Sequence, residues 1–326
     1  MKPDMNRVLV TGMGGELGTR VAQLLEARDD VGEIHGVDFS PPRRRLRRAV
    51  FHRIDPRQRD RLRDYVLDYA PTHVAHFGVY EPASRMSPAA AIERTEQCSA
   101  IALAAAGRAG SLEGVVLRSG LEVYGTDRSR IGVPDETVPP APRSGYGKSL
   151  LRVETIGAGV GRRHDVPVAS LRYAPIVGSH VPSPIGRLLR LPVVPVSATS
   201  DPPFSLLHPE DCCRAMVGAL AAGVDGPVNV AGPGATTPWQ AARLGGRIPL
   251  PILPFAWGLA SSTVEFVGAA IATHVVELLR HGCTGCSARL DDVLDLGPLR
   301  STREVLEELY EWAEIVPIDR AREVAA

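Results

Sequence analysis

Lysine is nearly absent from this sequence. Lys2 and Lys148 are the only two, while the rest of the basic residues are arginine. Chemistry that needs an ammonium at a chosen point must use one of these two or do without. A surplus of one charge sign is missing as well. Lysine plus arginine number 37 and aspartate plus glutamate number 37, so no global field points to nucleic acid or to an anionic membrane. Long apolar runs are also lacking. The nearest, IPLPILPFAWGLASSTVEFVGAAIATHVVELL at 248–279, is broken by prolines, Glu265, His274 and Glu277. It reads as a buried helical pair rather than a membrane span. The opening MKPDMNRVLVTG runs straight into a strand without an apolar signal core, so no secretory leader is expected in it. Cysteines are few and odd in number (Cys98, Cys212, Cys213, Cys283, Cys286), which suits a reducing cytoplasm rather than a disulfide scaffold.

What is present is an alternation of strands and helices. The chain has 326 residues, 44% of them hydrophobic and 23% charged, an ordinary globular composition. Strands are predicted at 7–11, 33–38, 73–77, 114–119 and 167–173, with helices at 16–28, 60–69, 88–108 and 145–160. Strands separated by helices predict a parallel sheet with crossover connections. After residue 174 proline and glycine become dense, and SHVPSPIGRLLRLPVVPV reads as a loop-rich excursion. A helix over PEDCCRAMVGALAAG and a strand at 226–232 follow. STREVLEELYEWAEI, with its hydroxyl cap and early glutamate, predicts a terminal amphipathic helix.

VLVTGMGGELG places Gly12, Gly15 and Gly18 between the first strand and the first helix. In this pattern the first glycine permits a tight turn, the second lets the backbone approach a pyrophosphate, and the third lets helix and strand pack closely. The helix N-terminus then offers free N–H groups and a positive dipole end. Asp38 ends the second strand, where a carboxylate accepts bonds from adenosine ribose hydroxyls and repels a 2′-phosphate. NAD is therefore expected in preference to NADP. Ten arginines between Arg43 and Arg63 weigh the other way, since they could reach a phosphate or an acidic partner. Their plainer reading is a solvated loop and an exposed helix face.

The glycine loop, Asp38, VYG at 123–125, YGKS at 146–149, LRYAPIVG at 171–178 and PVNVAG together resemble the extended short-chain dehydrogenase/reductases. Within these they are most similar to the NAD-dependent epimerase/dehydratase family, typified by UDP-glucose 4-epimerase. The resemblance covers roughly residues 5–315. It implies an α/β Rossmann-type doubly wound parallel sheet over 1–175, to which 205–232 returns. The stretches 176–204 and 233–326 would form a smaller C-terminal substrate-side region. It implies cofactor contacts from Gly12, Gly14, Gly15, Glu16, Leu17, Gly18, Asp38, Asp55, Phe77, Gly78, Tyr146 and Tyr173. A small-molecule substrate, a nucleotide sugar for most members, is expected, and a homodimer is compatible with it.

Family chemistry uses a tyrosine that takes the substrate hydroxyl's proton, a lysine that lowers its pKa and holds the nicotinamide ribose, and a serine or threonine that orients the hydroxyl. The resemblance puts Tyr146 at the tyrosine position. It puts Leu150 where the lysine should be and Gly120 where the serine should be, with Ser119 one step upstream. Lys148 lies about 200° round a helix from Tyr146 and faces elsewhere. Arg152 is a turn further off. A tyrosine without help is phenolate in only about one molecule in a thousand at neutral pH. The sequence thus shows an intact cofactor loop beside an altered catalytic centre. Two functions remain open: a nucleotide-sugar epimerase/dehydratase or other oxidoreductase with a degenerate triad, or a non-catalytic cofactor-binding sensor or partner subunit.

Four remaining features are read plainly. Cys283 and Cys286 form a lone C-x-x-C that lacks two further zinc ligands, so no metal is expected. His76 at a strand end reads as structural. Asp55 matches the family position against adenine, or is a turn aspartate. Tyr173 is placed beside the nicotinamide, and Tyr124 in the core.

Overall fold

A computed structural model describes residues 5–84, 86–127, 132–178, 180–257 and 271–311. The first half follows the predicted alternation. It runs β1 (Met5–Thr11), α1 (Glu16–Glu26), β2 (Val31–Asp38), β3 (Val50–Arg53), α2 (Arg59–Tyr69), β4 (His73–His76), α3 (Pro88–Arg108) and β5 (Gly114–Gly120). A 3₁₀ turn, Leu121–Tyr124, then leads toward α4 (Gly145–His164) and β6 (Val168–Tyr173). Val8, Leu9 and Val10, like Val115, Val116 and Leu117, are buried in succession. Consecutive apolar residues of this kind belong to a parallel strand covered on both faces.

The second half contributes α5 (Pro184–Leu189), β7 (Val193–Ser197), α6 (Pro209–Ala222), β8 (Gly226–Val230), α7 (Pro238–Leu244) and β9 (Ile248–Ile252). These are followed by a 3₁₀ turn at Pro254–Ala256, α8 (Thr273–His281), α9 (Ala288–Val293) and α10 (Thr302–Glu311). Several helices start the same way, with a capping side chain followed by proline: Ser87–Pro88, Ser183–Pro184, His208–Pro209 and Thr237–Pro238. Proline in the first turn forfeits no helix hydrogen bond and comes with its φ preset.

Seven strands form one parallel sheet in the order β3-β2-β1-β4-β5-β6-β8. α1 packs with α6, while α2, α3 and α4 pack in series. The result is a Rossmann-type doubly wound sheet. Its order reverses between β1 and β4, and a crevice opens at such a reversal beyond the carboxyl ends of the strands. A second, two-stranded parallel sheet pairs β7 with β9.

Three strands escaped the sequence reading. β3 lies within the arginine-rich stretch, whose charge masks VFHR. β7 and β9 carry Pro195, Pro249 and Pro251, which suggest a loop. In a two-stranded sheet each strand has one unpaired edge, where a residue without an N–H is tolerated. The expected helical pair over 248–279 is corrected at its start: Ile248–Ile252 is a strand, exposed at Ile248 and Leu250, while α8 spans Thr273–His281. Alternate prolines cannot continue a helix. Residues 258–270 of that stretch, and the terminal helix from 312 onward, lie outside the described residues. Among the described residues no helix is long and apolar enough to cross a membrane.

Candidate active site

The glycine loop sits in the crevice, and its glycines answer to different demands. Gly12 has φ +71°, and a Cβ there would overlap the Phe77 carbonyl at the end of β4. A Cβ on Gly14 would overlap the Ser40 carbonyl, and one on Gly18 the carbonyl of Gly12. These three are required by the protein's own packing. Gly15 is not: the nearest atom to a Cβ there is Gly12 O at 3.4 Å, an ordinary contact. Gly15 is also the N-cap of α1, and no side chain caps that end. The loop is bare toward the crevice for no internal reason, as a cradle for a phosphate would be.

The cavity in front of it has a volume of about 370 Å³. Gly12, Gly14, Gly15, Glu16, Leu17, Gly18, Asp38 and Phe77 all line it, together with Arg43, Tyr80, Glu81, Arg94 and Arg118. Glu16 is buried there between Arg20 at 2.8 Å and Arg44 at 2.9 Å. Burial opposes its charge, but the two guanidinium groups outweigh burial and hold its pKa below the usual carboxylate value. Asp38 is 4% exposed. Burial pushes its pKa up to about 6, against hydrogen bonds donated by Phe39 N at 2.7 Å and the Tyr80 hydroxyl at 3.3 Å.

The arginine run is more than a solvated loop. Arg48 donates to the carbonyls of Leu25, Glu26, Arg28, Val31 and Gly32, closing the C-terminal end of α1. Glu26 accepts from the backbone N–H groups of residues 47, 48 and 49 in return. Arg43 reaches the cavity, and Arg94 lies over the Phe39 ring at 4.6 Å. Asp55 lies in a neighbouring groove with Arg53, Arg57 and Arg61, and Phe39 forms the wall between groove and cavity. Its carboxylate is held by Arg57 at 2.8 Å and approached by Arg94 at 3.6 Å.

Other predicted site residues stand apart from the cavity. The Tyr173 hydroxyl donates to Cys212 O at 3.2 Å, and the ring is buried in the core rather than lining the cavity; Ile176 takes the lining position. Gly78 is packed against the sulfur of Cys98 and donates its N–H to Thr11 Oγ1. His76 is clamped between Thr11 at 2.7 Å and Ser99 at 2.8 Å, and burial pushes its pKa down to about 3. It is a neutral structural group. All five thiols are unbridged, and among the described residues no group of His, Cys, Asp and Glu is placed to hold a metal.

The altered centre is more populated than its sequence suggests. Ser144 caps α4 through Gly147 N at 3.3 Å and so sets Tyr146 in the first turn. Tyr146 is 6% exposed and is not part of the cavity lining. Leu150 is fully buried, and Lys148 is exposed. A Cβ on Gly120 would overlap the carboxylate of Glu122 and come within 3.1 Å of Leu150 Cδ1. Glu122 thus fills the space expected for a serine. His274 of α8 stacks obliquely on Tyr146, with ring centroids 4.7 Å apart, and lies 3.2 Å from the Glu81 carboxylate. The positive charge of Arg118 on β5 favours the Tyr146 phenolate. Burial nevertheless dominates, with Glu81 and Glu122 adding to it, and the phenol's pKa lies well above its ordinary value. The sequence reading missed Arg118, Glu81, Glu122 and His274. Only Arg118 had a local signal, since strand alternation puts it on the same side as Gly120, two residues on.

Residues 8–231 match the family described as NAD dependent epimerase/dehydratase. An uncharacterized protein of Mycobacterium tuberculosis (strain H37Rv) is 30% identical over 331 residues, covering 95% of this chain and 85% of that one. Among solved structures, UDP-glucose 4-epimerase from Thermotoga maritima with UDP-glucose superposes with a TM-score of 0.72. It is 19% identical and covers 98% of this chain and 100% of its own. UDP-glucuronic acid 4-epimerase from Bacillus cereus, in complex with UDP-glucuronic acid and NAD, gives 0.72 at 18% identity over 94% and 98%. dTDP-glucose 4,6-dehydratase from Bacillus anthracis, in complex with NAD, gives 0.71 at 16% identity over 94% and 96%. At these identities the solved structures speak to the fold alone.

Proposed function

Because the chain belongs to the NAD-dependent epimerase/dehydratase family, we propose that it binds NAD in preference to NADP and acts on a secondary alcohol of a nucleotide sugar. One observation supports this above others: a single cavity runs from the uncapped N-terminus of α1 past Asp38 to Arg118. In this reading the pyrophosphate rests on the bare Gly15 side of the loop, and Asp38 receives the adenosine ribose. A bound nicotinamide would supply hydride acceptance and return. The chain would supply orientation, exclusion of water and proton management around Tyr146. The region holding β7, β9 and α8 would form the substrate side, and the unbridged thiols suit a cytoplasmic protein.

The test is calorimetric titration with NAD and NADP, followed by a panel of UDP-glucose, UDP-glucuronate, dTDP-glucose and simple secondary alcohols. Tighter NAD binding with turnover of a panel member is expected. Absence of dinucleotide binding would overturn the reading.

A second reading has its own support. Tyr146 is buried outside the cavity lining with a raised pKa, which suits a protein that binds the cofactor and reports on it without turning substrate over. NAD binding with no turnover across the panel would favour it.

A further inference from the structure

The centre around Tyr146 lacks a lysine on its own helix but does not lack a cation. Arg118 stands on β5 on the same side as Gly120, which packs against Leu150, one turn from Tyr146 on α4. It lines the same cavity as the glycine loop and Asp38, and it donates to Val79 O at 3.2 Å. Arginine presents five N–H donors in a fixed planar fork, so one side chain can hold a main-chain carbonyl, bear on a phenol and face a ligand together. Burial opposes the Arg118 charge, but Tyr146, Glu81 and Glu122 around it keep its pKa above the ordinary value, so it stays protonated.

The neighbouring substitutions make sense as a set. Leu150 closes the route by which a lysine on α4 would enter, and Glu122 fills the space left bare at Gly120. A lysine at 150 would add a second buried cation to a cluster that already holds one, with the desolvation cost such a charge carries. His274 from α8 packs on Tyr146, and the charges that act on its phenol are Arg118 from β5, Glu81 from the segment after β4 and Glu122 from the 3₁₀ turn. α3 meets the start of α4 with the apolar end of Ile92.

Resting on the reading of the cavity as a nicotinamide site, we propose that Arg118 stands in for the cation that the resemblance gives as a lysine. It contacts the inner end of the bound dinucleotide, and it is the positioning residue for the Tyr146 phenol, acting from the strand instead of from Tyr146's own helix. The centre is rebuilt around an arginine in a chain that has almost no lysine to use.

The test uses the full chain labelled with 3-fluorotyrosine, with Tyr146→Phe assigning the Tyr146 fluorine resonance. Arg118→Lys keeps the charge, Arg118→Gln removes it, and Arg118→Met removes charge and polarity. The resonances of the other tyrosines report whether each variant is folded. In the wild type, NAD should shift the Tyr146 resonance. Arg118→Gln and Arg118→Met should move that resonance in the absence of ligand, abolish its response to NAD and weaken NAD binding about tenfold or more. Arg118→Lys should restore most of the response. A folded Arg118→Gln with wild-type Tyr146 resonance and NAD affinity within about twofold would overturn the proposal while leaving the functional reading intact. A wild type that binds no NAD would overturn the functional reading and the cofactor half of the proposal. The ligand-free resonance shift would still decide the Tyr146 half.

Discussion

Ser119 Oγ donates to Glu154 Oε1 at 2.5 Å. The same carboxylate is held by Arg172 at 2.8 and 3.0 Å, and Arg172 goes on to the Tyr124 hydroxyl at 2.9 Å. Tyr124 in turn donates to Asn229 at 2.8 Å. The serine nearest the expected catalytic position is therefore committed to a buried network that ties β5, α4, β6 and β8 together. Ser119→Ala should leave NAD affinity unchanged and lower stability by about 1–3 kcal/mol, because it removes a charge-assisted hydrogen bond in the core. Urea denaturation and calorimetry measure the two effects. Lost NAD binding in a stable variant would return Ser119 to the site.

Asp38 is kept buried at a cost in stability. Its pKa rises from the ordinary 3.8 to about 6 because it is buried. For an acid with a raised folded pKa, folding favours the neutral form. The penalty is absent below the unfolded value, grows as pH rises between about 4 and 6, and is constant above, reaching about 3 kcal/mol. Asp38→Asn should therefore raise the stability of the ligand-free protein at pH 8 by about 1–3 kcal/mol, with the gain vanishing near pH 4. NAD affinity should fall, since one amide oxygen cannot serve the acceptor role of a carboxylate toward two ribose hydroxyls. Melting curves across pH check the first effect. A gain independent of pH would show that Asp38 is not ionising with this penalty.

Restoring a lysine on α4 should fail. Leu150 is fully buried beside Gly120, and Arg118 already supplies a charge to the cluster. Leu150→Lys should cost about 3–5 kcal/mol through desolvation of a second buried cation near Arg118, whereas Leu150→Met, which conserves volume, should cost under about 1.5 kcal/mol. Chemical denaturation compares the two. A stable Leu150→Lys with new turnover would mean that the site is an open vacancy rather than a closed and rebuilt one.

The sheet was legible where its strands are buried runs. RVLVT and GVVLRS read as strands because they are short, rich in β-branched valine and apolar in succession, as a doubly covered strand is. The glycine loop and Asp38 were legible because their geometry is local, a few residues in a fixed order. β3 was hidden by its arginines, and β7 and β9 by prolines that a larger sheet would reject. The Tyr146 cluster was illegible for a different reason. Glu81, Arg118, Glu122 and His274 stand on four separate segments, and no spacing in the chain relates them. The hydrogen bond of the Tyr173 hydroxyl to Cys212 O was illegible for the same reason, since it joins β6 to α6 across 39 residues.

The central claim is that the glycine loop is shaped for a ligand, and Gly15 isolates it. A Cβ there meets nothing closer than Gly12 O at 3.4 Å, and its φ of −75° suits any residue. Calorimetric titration of NAD into the wild type and into Gly15→Val, with melting temperatures alongside, is the most direct measurement. The account predicts one NAD per wild-type chain. In Gly15→Val it predicts an unchanged fold within about 1 kcal/mol and affinity lower by about a hundredfold, the side chain standing where the pyrophosphate should lie. Equal NAD affinity in the two proteins, or no binding to the wild type, would contradict it.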